Sequence, residues 1–184
     1  MRIERVEGSS GVHEPTCGNL LYLDFDGVLH ADDVYWSPRV GIYMKAPGRQ
    51  LFEWTDILTE LLAPYPDVGI VLSTSWVRVR SFDYAKEQLS RTLQSKVVGA
   101  TFHRREIGKR RFDSMSRGAQ IVADVQRRKP RNWLAVDNDD AGWPSQWRAN
   151  LIKTEDDQGL SDLAVQESIR SRLAAFEVIT KTEG

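Results

Sequence analysis

The stretch Leu20-Leu21-Tyr22-Leu23-Asp24-Phe25-Asp26-Gly27-Val28-Leu29-His30 decides the fold. Leu20 to Leu23 is an uninterrupted apolar run, as in a strand covered on both faces of a parallel sheet. It then meets two carboxylates one residue apart, followed by a glycine. Like charges at the end of a buried strand are unfavourable unless they bind a cation, act on a substrate or cap a turn. What the other strand ends carry decides among these.

Similar runs recur along the chain. Val68 to Leu72 ends at Ser73-Thr74-Ser75, and Val97 to Ala100 makes a short strand. Trp133 to Val136 runs into Asp137-Asn138-Asp139-Asp140, and Leu151-Ile152 gives a fifth strand. Helices fall between them. One runs from Leu51 with Trp54, Leu58, Leu61 and Leu62 inward, until Pro64 and Pro66 stop it. A second is capped by Ser81 and reaches about Leu93, and a third is opened by Arg117-Gly118. A last one runs from Ser161 to about Phe176 with Leu163, Ile169 and Leu173 inward. Residues 30–48, with Pro38, Gly41, Pro47 and Gly48, read as a loop or small hairpin, and His103 to Ser116 as a polar, basic loop. Residues 1–18 read as a flexible lead-in and 19–180 as one domain. Strands alternating with helices predict an α/β fold with a central, mainly parallel sheet.

Ligands of open parallel sheets bind at the carboxyl ends of the strands. That edge would collect Asp24 and Asp26, then Ser73, Thr74 and Ser75, then Asp137 and Asp139, with Arg117 nearby. Carboxylate oxygens suit Mg²⁺, which keeps water and substrate phosphate in its remaining positions. Hydroxyls and a fixed cation suit the equatorial oxygens of a transferring phosphoryl group. A carboxylate beside such a metal can attack phosphorus.

Together these residues carry a family resemblance. Asp24-Phe25-Asp26-Gly27-Val28-Leu29 resembles the first motif of the haloacid dehalogenase (HAD) superfamily, and Val71-Leu72-Ser73-Thr74-Ser75 its second. Arg117-Gly118-Ala119-Gln120-Ile121 resembles the third, in which a basic residue opens a helix, and Leu134-Ala135-Val136-Asp137 the fourth. The Ser-Thr-Ser-Trp turn and Gly159-Leu160-Ser161 also look like the compact HAD domains of bacterial RNA-repair proteins. The resemblance implies a three-layer, Rossmann-like HAD fold with a minimal cap and a phosphohydrolase forming an aspartyl-phosphate. It implies that Asp24 is the nucleophile and Asp26 the general acid and base. Mg²⁺ would be held by Asp24, the Asp26 carbonyl and Asp137, with Asn138 and Asp139 or Asp140 completing the site. Thr74, or else Ser73 or Ser75, would hydrogen-bond the phosphoryl group beside Gly27, and Arg117 would neutralise charge. The family usually has Lys where Arg117 stands, which leaves Lys109 a rival, and Asn138 stands where many members have a second acid.

Composition narrows the rest. The net charge of −1 over 184 residues gives no global attraction to nucleic acid or anionic membrane. Cys17 is the one cysteine, so no internal disulfide forms, and neither a membrane span nor an apolar leader is legible. A cytoplasmic protein without a membrane or obligate protein partner is the expectation. His30 and His103 lack metal-ligand spacing and read as surface or hydrogen-bonded residues. Trp76, Trp143 and Trp147 read as packing or rim residues, and the Arg-rich stretches as solvated faces. The short intervals between motifs leave an open site, which suits a bulky phosphorylated substrate such as a polynucleotide end. A small-molecule phosphatase and a catalytically idle binding protein are the competing readings.

Overall fold

The computed structural model describes residues 17–103 and 107–182. The lead-in expected over residues 1–18 lies outside the described residues except for Cys17 and Gly18, which already belong to the first strand. In chain order the elements are β1 (Cys17–Leu23), β2 (Val34–Ser37), β3 (Gly41–Met44), α1 (Thr55–Leu62), β4 (Val68–Leu72), α2 (Ser75–Val79) and α3 (Phe82–Glu87). They continue with α4 (Arg91–Lys96), β5 (Val97–Ala100), α5 (Lys109–Asp113), α6 (Arg117–Arg128), β6 (Pro130–Asp137), β7 (Leu151–Lys153) and α7 (Leu163–Thr182).

Five strands form one sheet in the order β5-β4-β1-β6-β7, and every pairing is parallel. The alternation within β1 explains the three layers. Leu21 and Leu23 join the core shared with α1, α3, α4 and α7, while Leu20 and Tyr22 join Ile121 and Val125 of α6 on the opposite face. The chain leaves β1 toward β4 and β5, then returns to β6 on the other side of β1. The crevice where that order reverses lies between β1 and β6, at their carboxyl ends. Register makes those ends level, since Leu23 pairs with both Leu72 and Val136. Asp24, Ser73 and Asp137, each the next residue after these or the last of its strand, therefore stand side by side. Their backbones are tied: Asp24 N–H donates to the Val136 carbonyl at 3.2 Å, and Ser73 N–H to the Leu23 carbonyl at 2.8 Å.

Several helices differ from expectation for local reasons. The helix expected from Leu51 starts only at Thr55, because Phe52 adopts a φ of 61° that no α-helix tolerates. The helix expected from Ser81 to Leu93 is two helices. Ser81 and Ser90 each accept a backbone N–H of their own first turn, and the Gln94 amide donates to the Glu87 and Leu89 carbonyls between them. The basic segment before Ser116 contains α5, whose Phe112 is buried against Phe102 with ring centroids 5.0 Å apart. The last helix is capped by Asp162, which accepts the Ala164 N–H, so Ser161 lies outside it and Leu163, expected inward, is 75% exposed. Ile169 and Leu173 are fully buried. Residues 34–44 form the small hairpin, β2 against β3. No helix among the described residues is long and apolar enough to cross a membrane.

Two contacts fix α6. Its far end is anchored by buried Asp124, which accepts the Tyr22 hydroxyl at 3.1 Å and binds Arg127 and Arg128. Its first turn rests on the loop after β6, where a Cβ at Gly118 would stand 2.6 Å from Trp143 Cα and 2.8 Å from the Gly142 carbonyl. Both neighbours are backbone, so the helix would have to move. Gly118→Ala, normally helix-stabilising, is therefore expected to destabilise by about 1–3 kcal/mol and to lower activity by displacing Arg117. Urea unfolding of the variant checks this, and unchanged stability would contradict the contact.

Candidate functional site

Asp24 is 3% exposed at the end of β1. Its Oδ1 accepts the Phe25 N–H at 2.8 Å, its Oδ2 accepts from Arg117 Nη2 at 3.1 Å, and the Thr74 hydroxyl also hydrogen-bonds it. Burial pushes its carboxyl up to about 6; Arg117, Phe25 N–H and Thr74 oppose this, and Asp26 reinforces it. Asp137, fully buried, is raised well above the carboxylate range by burial first and by Asp24 second.

One guanidinium serves both acids. Arg117 Nε lies 3.2 Å from Asp137 Oδ2, and Nη1 donates to the Ser73 carbonyl. The fork thus spans the ends of β1, β4 and β6, which the point charge of a lysine would not do. Although burial works against its charge, Asp24, Asp137, Asp139 and Asp26 together hold the guanidinium firmly protonated. Lys109, the rival, is exposed at the first residue of α5 and makes no ion pair with these carboxylates among the described residues.

Asp26 is held by two donors. The Trp76 indole N–H reaches its Oδ1 at 3.0 Å and Oδ2 at 3.1 Å, and His30 Nε2 lies 3.1 Å from Oδ1. His30 is fully buried, and its Nδ1 accepts the Phe52 N–H at 3.2 Å. An accepting Nδ1 places the proton of a neutral imidazole on Nε2, which then donates to Asp26. The N–H for this relay comes from Phe52, the residue with a φ of 61°, a conformation costing a bulky side chain roughly 1–2 kcal/mol. Phe25, Phe52 and Trp76 close an aromatic box around the imidazole, with centroid separations of 5.2–5.8 Å among the three rings. Sequence reading gave His30 a surface or hydrogen-bonded role and Trp76 a packing or rim one, without attaching either to Asp26. The available signals were their positions, four residues after Asp26 and directly after Ser75.

Trp76→Phe keeps the ring and removes the donor. It is expected to lower kcat about tenfold, a fraction of what acid–base catalysis supplies, with a smaller change in KM. Equal loss in both constants, or loss matched by unfolding in a urea titration, would contradict a positioning role.

The remaining expected residues divide. Ser75 opens α2 and lines a cavity of about 210 Å³ with Thr74, Arg117 and Asp139. The Ser73 hydroxyl is buried without a hydrogen-bond partner. Gly27 takes a φ of 68°, its carbonyl accepts the Thr154 hydroxyl at 2.7 Å, and a Cβ there would strike the Asn138 side chain at 2.5 Å. Asn138, expected among metal ligands, donates its amide to Asp156 at 2.9 Å and Asp32 at 3.3 Å. Asp139 is exposed; its N–H donates to Asp137 Oδ1 and its Oδ1 accepts the Ala141 N–H, so it shapes the turn after β6. Asp140 pairs with Arg148 and Lys153 at the surface.

Asp24 and Asp137 are the pair best suited to a hard cation. Both are buried, they share one guanidinium, and Asp137 Oδ2 has no hydrogen bond. No three His, Cys, Asp or Glu side chains converge on one point among the described residues.

Comparison with curated proteins and with solved structures finds no match. Residues 20–165, from the first residue of the LLYLDFDGVLH run to α7, match the family described as the HAD domain in Swiss Army Knife RNA repair proteins, and the chain belongs to that family of HAD hydrolase domains.

Proposed function

We propose that the chain is a Mg²⁺-dependent phosphohydrolase that removes terminal phosphates from RNA through an aspartyl-phosphate intermediate. The observation that carries this is the division of labour between two carboxylates. Asp24 is buried against Arg117 and Asp137, whereas Asp26, two residues on, is turned toward His30 and Trp76. In the first step an Asp24 oxygen attacks phosphorus, the P–O bond to the leaving group breaks, and Asp26 gives that oxygen its proton. In the second, Asp26 takes a proton from water as the water oxygen attacks the same phosphorus. Inorganic phosphate leaves and the Asp24 carboxylate is restored. Arg117 and the Thr74 hydroxyl meet charge on the phosphoryl oxygens, and the buried edge limits access of competing water.

Asp24, the Asp26 carbonyl and Asp137 are the groups to hold Mg²⁺, which supplies the positive charge that two buried carboxylates and an incoming phosphate dianion require. RNA as substrate is supported by the match to the HAD domain of RNA repair proteins and by the small size of the β2–β3 hairpin that follows the first motif. The test is a phosphatase screen with added Mg²⁺ that sets phosphorylated RNA ends against mononucleotides and sugar phosphates. Higher kcat/KM for mononucleotides would overturn the substrate, and no turnover of any phosphate ester would overturn the chemistry.

A further inference from the structure

A terminal phosphate that reaches Asp24 must trail the rest of its strand across the surface, and a cavity beside Thr74 and Arg117, two residues whose side chains hydrogen-bond Asp24, offers it a path. The cavity lined by Thr74, Ser75, Arg117 and Asp139 shares Phe112, Met115 and Gln120 with a second cavity of about 210 Å³. The two cavities adjoin at these residues, where the Gln120 amide bridges to the Phe112 and Met115 carbonyls, and together they outline a surface path along α5 and α6. The first adds Arg78 and the second Arg111 and Arg127 to the lining. The exposed start of α5, Lys109 and Arg110, stands beside it. The opposing carboxylates among the described residues are three, of which Asp139 is exposed in the lining of the first cavity. Asp113 pairs with Arg78 at 3.2 Å, and Asp124 is buried beneath Arg127 and Arg128. Arg111 is exposed, with no ion pair among the described residues. On a chain of net charge −1, cations outnumber acids along this path.

We propose that the surface along α5 and α6 is the track along which single-stranded RNA lies when its terminal phosphate occupies the site, with Arg111 gripping a backbone phosphate. The track rests on the RNA-end reading above and adds the surface that would distinguish a polymer from a mononucleotide. Backbone phosphates beyond the end would meet the cations that line the two cavities, Arg78, Arg111 and Arg127. A single strand is the proposed occupant because Asp24 is only 3% exposed, and an unpaired terminal nucleotide reaches a recessed group more readily than a stacked duplex end. Arg111 lies outside the catalytic machinery and touches no site carboxylate, so its loss should change polymer binding and leave the chemistry alone.

The experiment measures fluorescence anisotropy of a short labelled single-stranded RNA bearing a terminal phosphate. Asp24→Asn protein is used so that the phosphate stays on, with and without Arg111→Ala, across a salt series. Arg111→Ala is expected to flatten the plot of log affinity against log salt by about 0.7, one single-strand phosphate contact. In the otherwise wild-type chain, Arg111→Ala should leave kcat/KM for p-nitrophenyl phosphate unchanged. Identical salt slopes with and without Arg111 would overturn the track. So would weakening by Trp36→Ala alone, which would place the strand on the exposed aromatic face of the β2–β3 hairpin, or tighter binding of polyglutamate than of RNA. Absence of p-nitrophenyl phosphate turnover in the wild-type chain would count against the phosphatase reading only. Binding does not depend on turnover, so the salt slopes still decide the track.

Discussion

Replacing Asp24 with Asn is expected to abolish phosphatase turnover, by at least about 10⁴-fold, which is above roughly 5.4 kcal/mol of transition-state stabilisation. An amide oxygen is a poor nucleophile and cannot form the acyl phosphate. The substitution is close to isosteric and removes a charge that burial already disfavours, since the Asp24 carboxyl is held near 6. Stability should therefore hold or rise, and the lost activity cannot be attributed to unfolding. Urea titration beside Mg²⁺-dependent kinetics separates the two. Rapid acid quench of the wild-type enzyme with labelled substrate should also trap a protein-bound phosphate that hydroxylamine releases. Turnover by Asp24→Asn within tenfold of wild type would sink the nucleophile assignment, and with it the two-step mechanism.

The prediction could be framed from sequence because β1 advertises itself. An apolar run meeting acids has few structural explanations, and four such strand-end groups in order have fewer. The parallel sheet followed from the alternation of runs and amphipathic segments, and the register of Leu23 with Leu72 and Val136 brought the expected groups together. What stayed hidden depended on backbone conformation and on side-chain rotation. Nothing in Leu51-Phe52-Glu53 announces that Phe52 will take a positive φ, yet that conformation both delays α1 and delivers the N–H that fixes His30. Asn138 follows Asp137 directly, so pattern alone groups it with the acids; its side chain is turned over Gly27 toward Asp32 and Asp156. The break between α3 and α4 is likewise set by serine caps that compete with a continuous helical period. Arg117 was legible as a charge on a planar fork, but the three strand ends the fork spans were not, because a motif gives the residue and not its reach.

That reach makes Arg117→Ala the most damaging single change to the resting site. In metal-free protein it leaves two buried carboxylates facing each other with no cation, and removing one partner of a buried ion pair costs about 3–5 kcal/mol. The side chain is only 15% exposed, so little solvent screening offsets the loss. Activity should fall about 10²–10³-fold, because a fixed cation at the phosphoryl oxygens is lost. Arg117→Lys keeps the charge but cannot serve Asp24, Asp137 and the Ser73 carbonyl at once, so it should fall between. Without Arg117 the folded-state carboxyls of Asp24 and Asp137 rise further, because its charge was lowering both. An acid whose folded pKa is raised costs stability when ionised, and the cost disappears as pH falls toward that pKa. The destabilisation measured with chelator present should therefore shrink from pH 8 to pH 5. Mg²⁺, if held by the same two acids, should raise the Tm of Arg117→Ala more than that of wild type, since the ion replaces the missing charge. Equal Mg²⁺ shifts in the two proteins would show that the metal and Arg117 do not share Asp24 and Asp137. A variant as stable as wild type in chelator would show that the guanidinium is not what makes their burial tolerable.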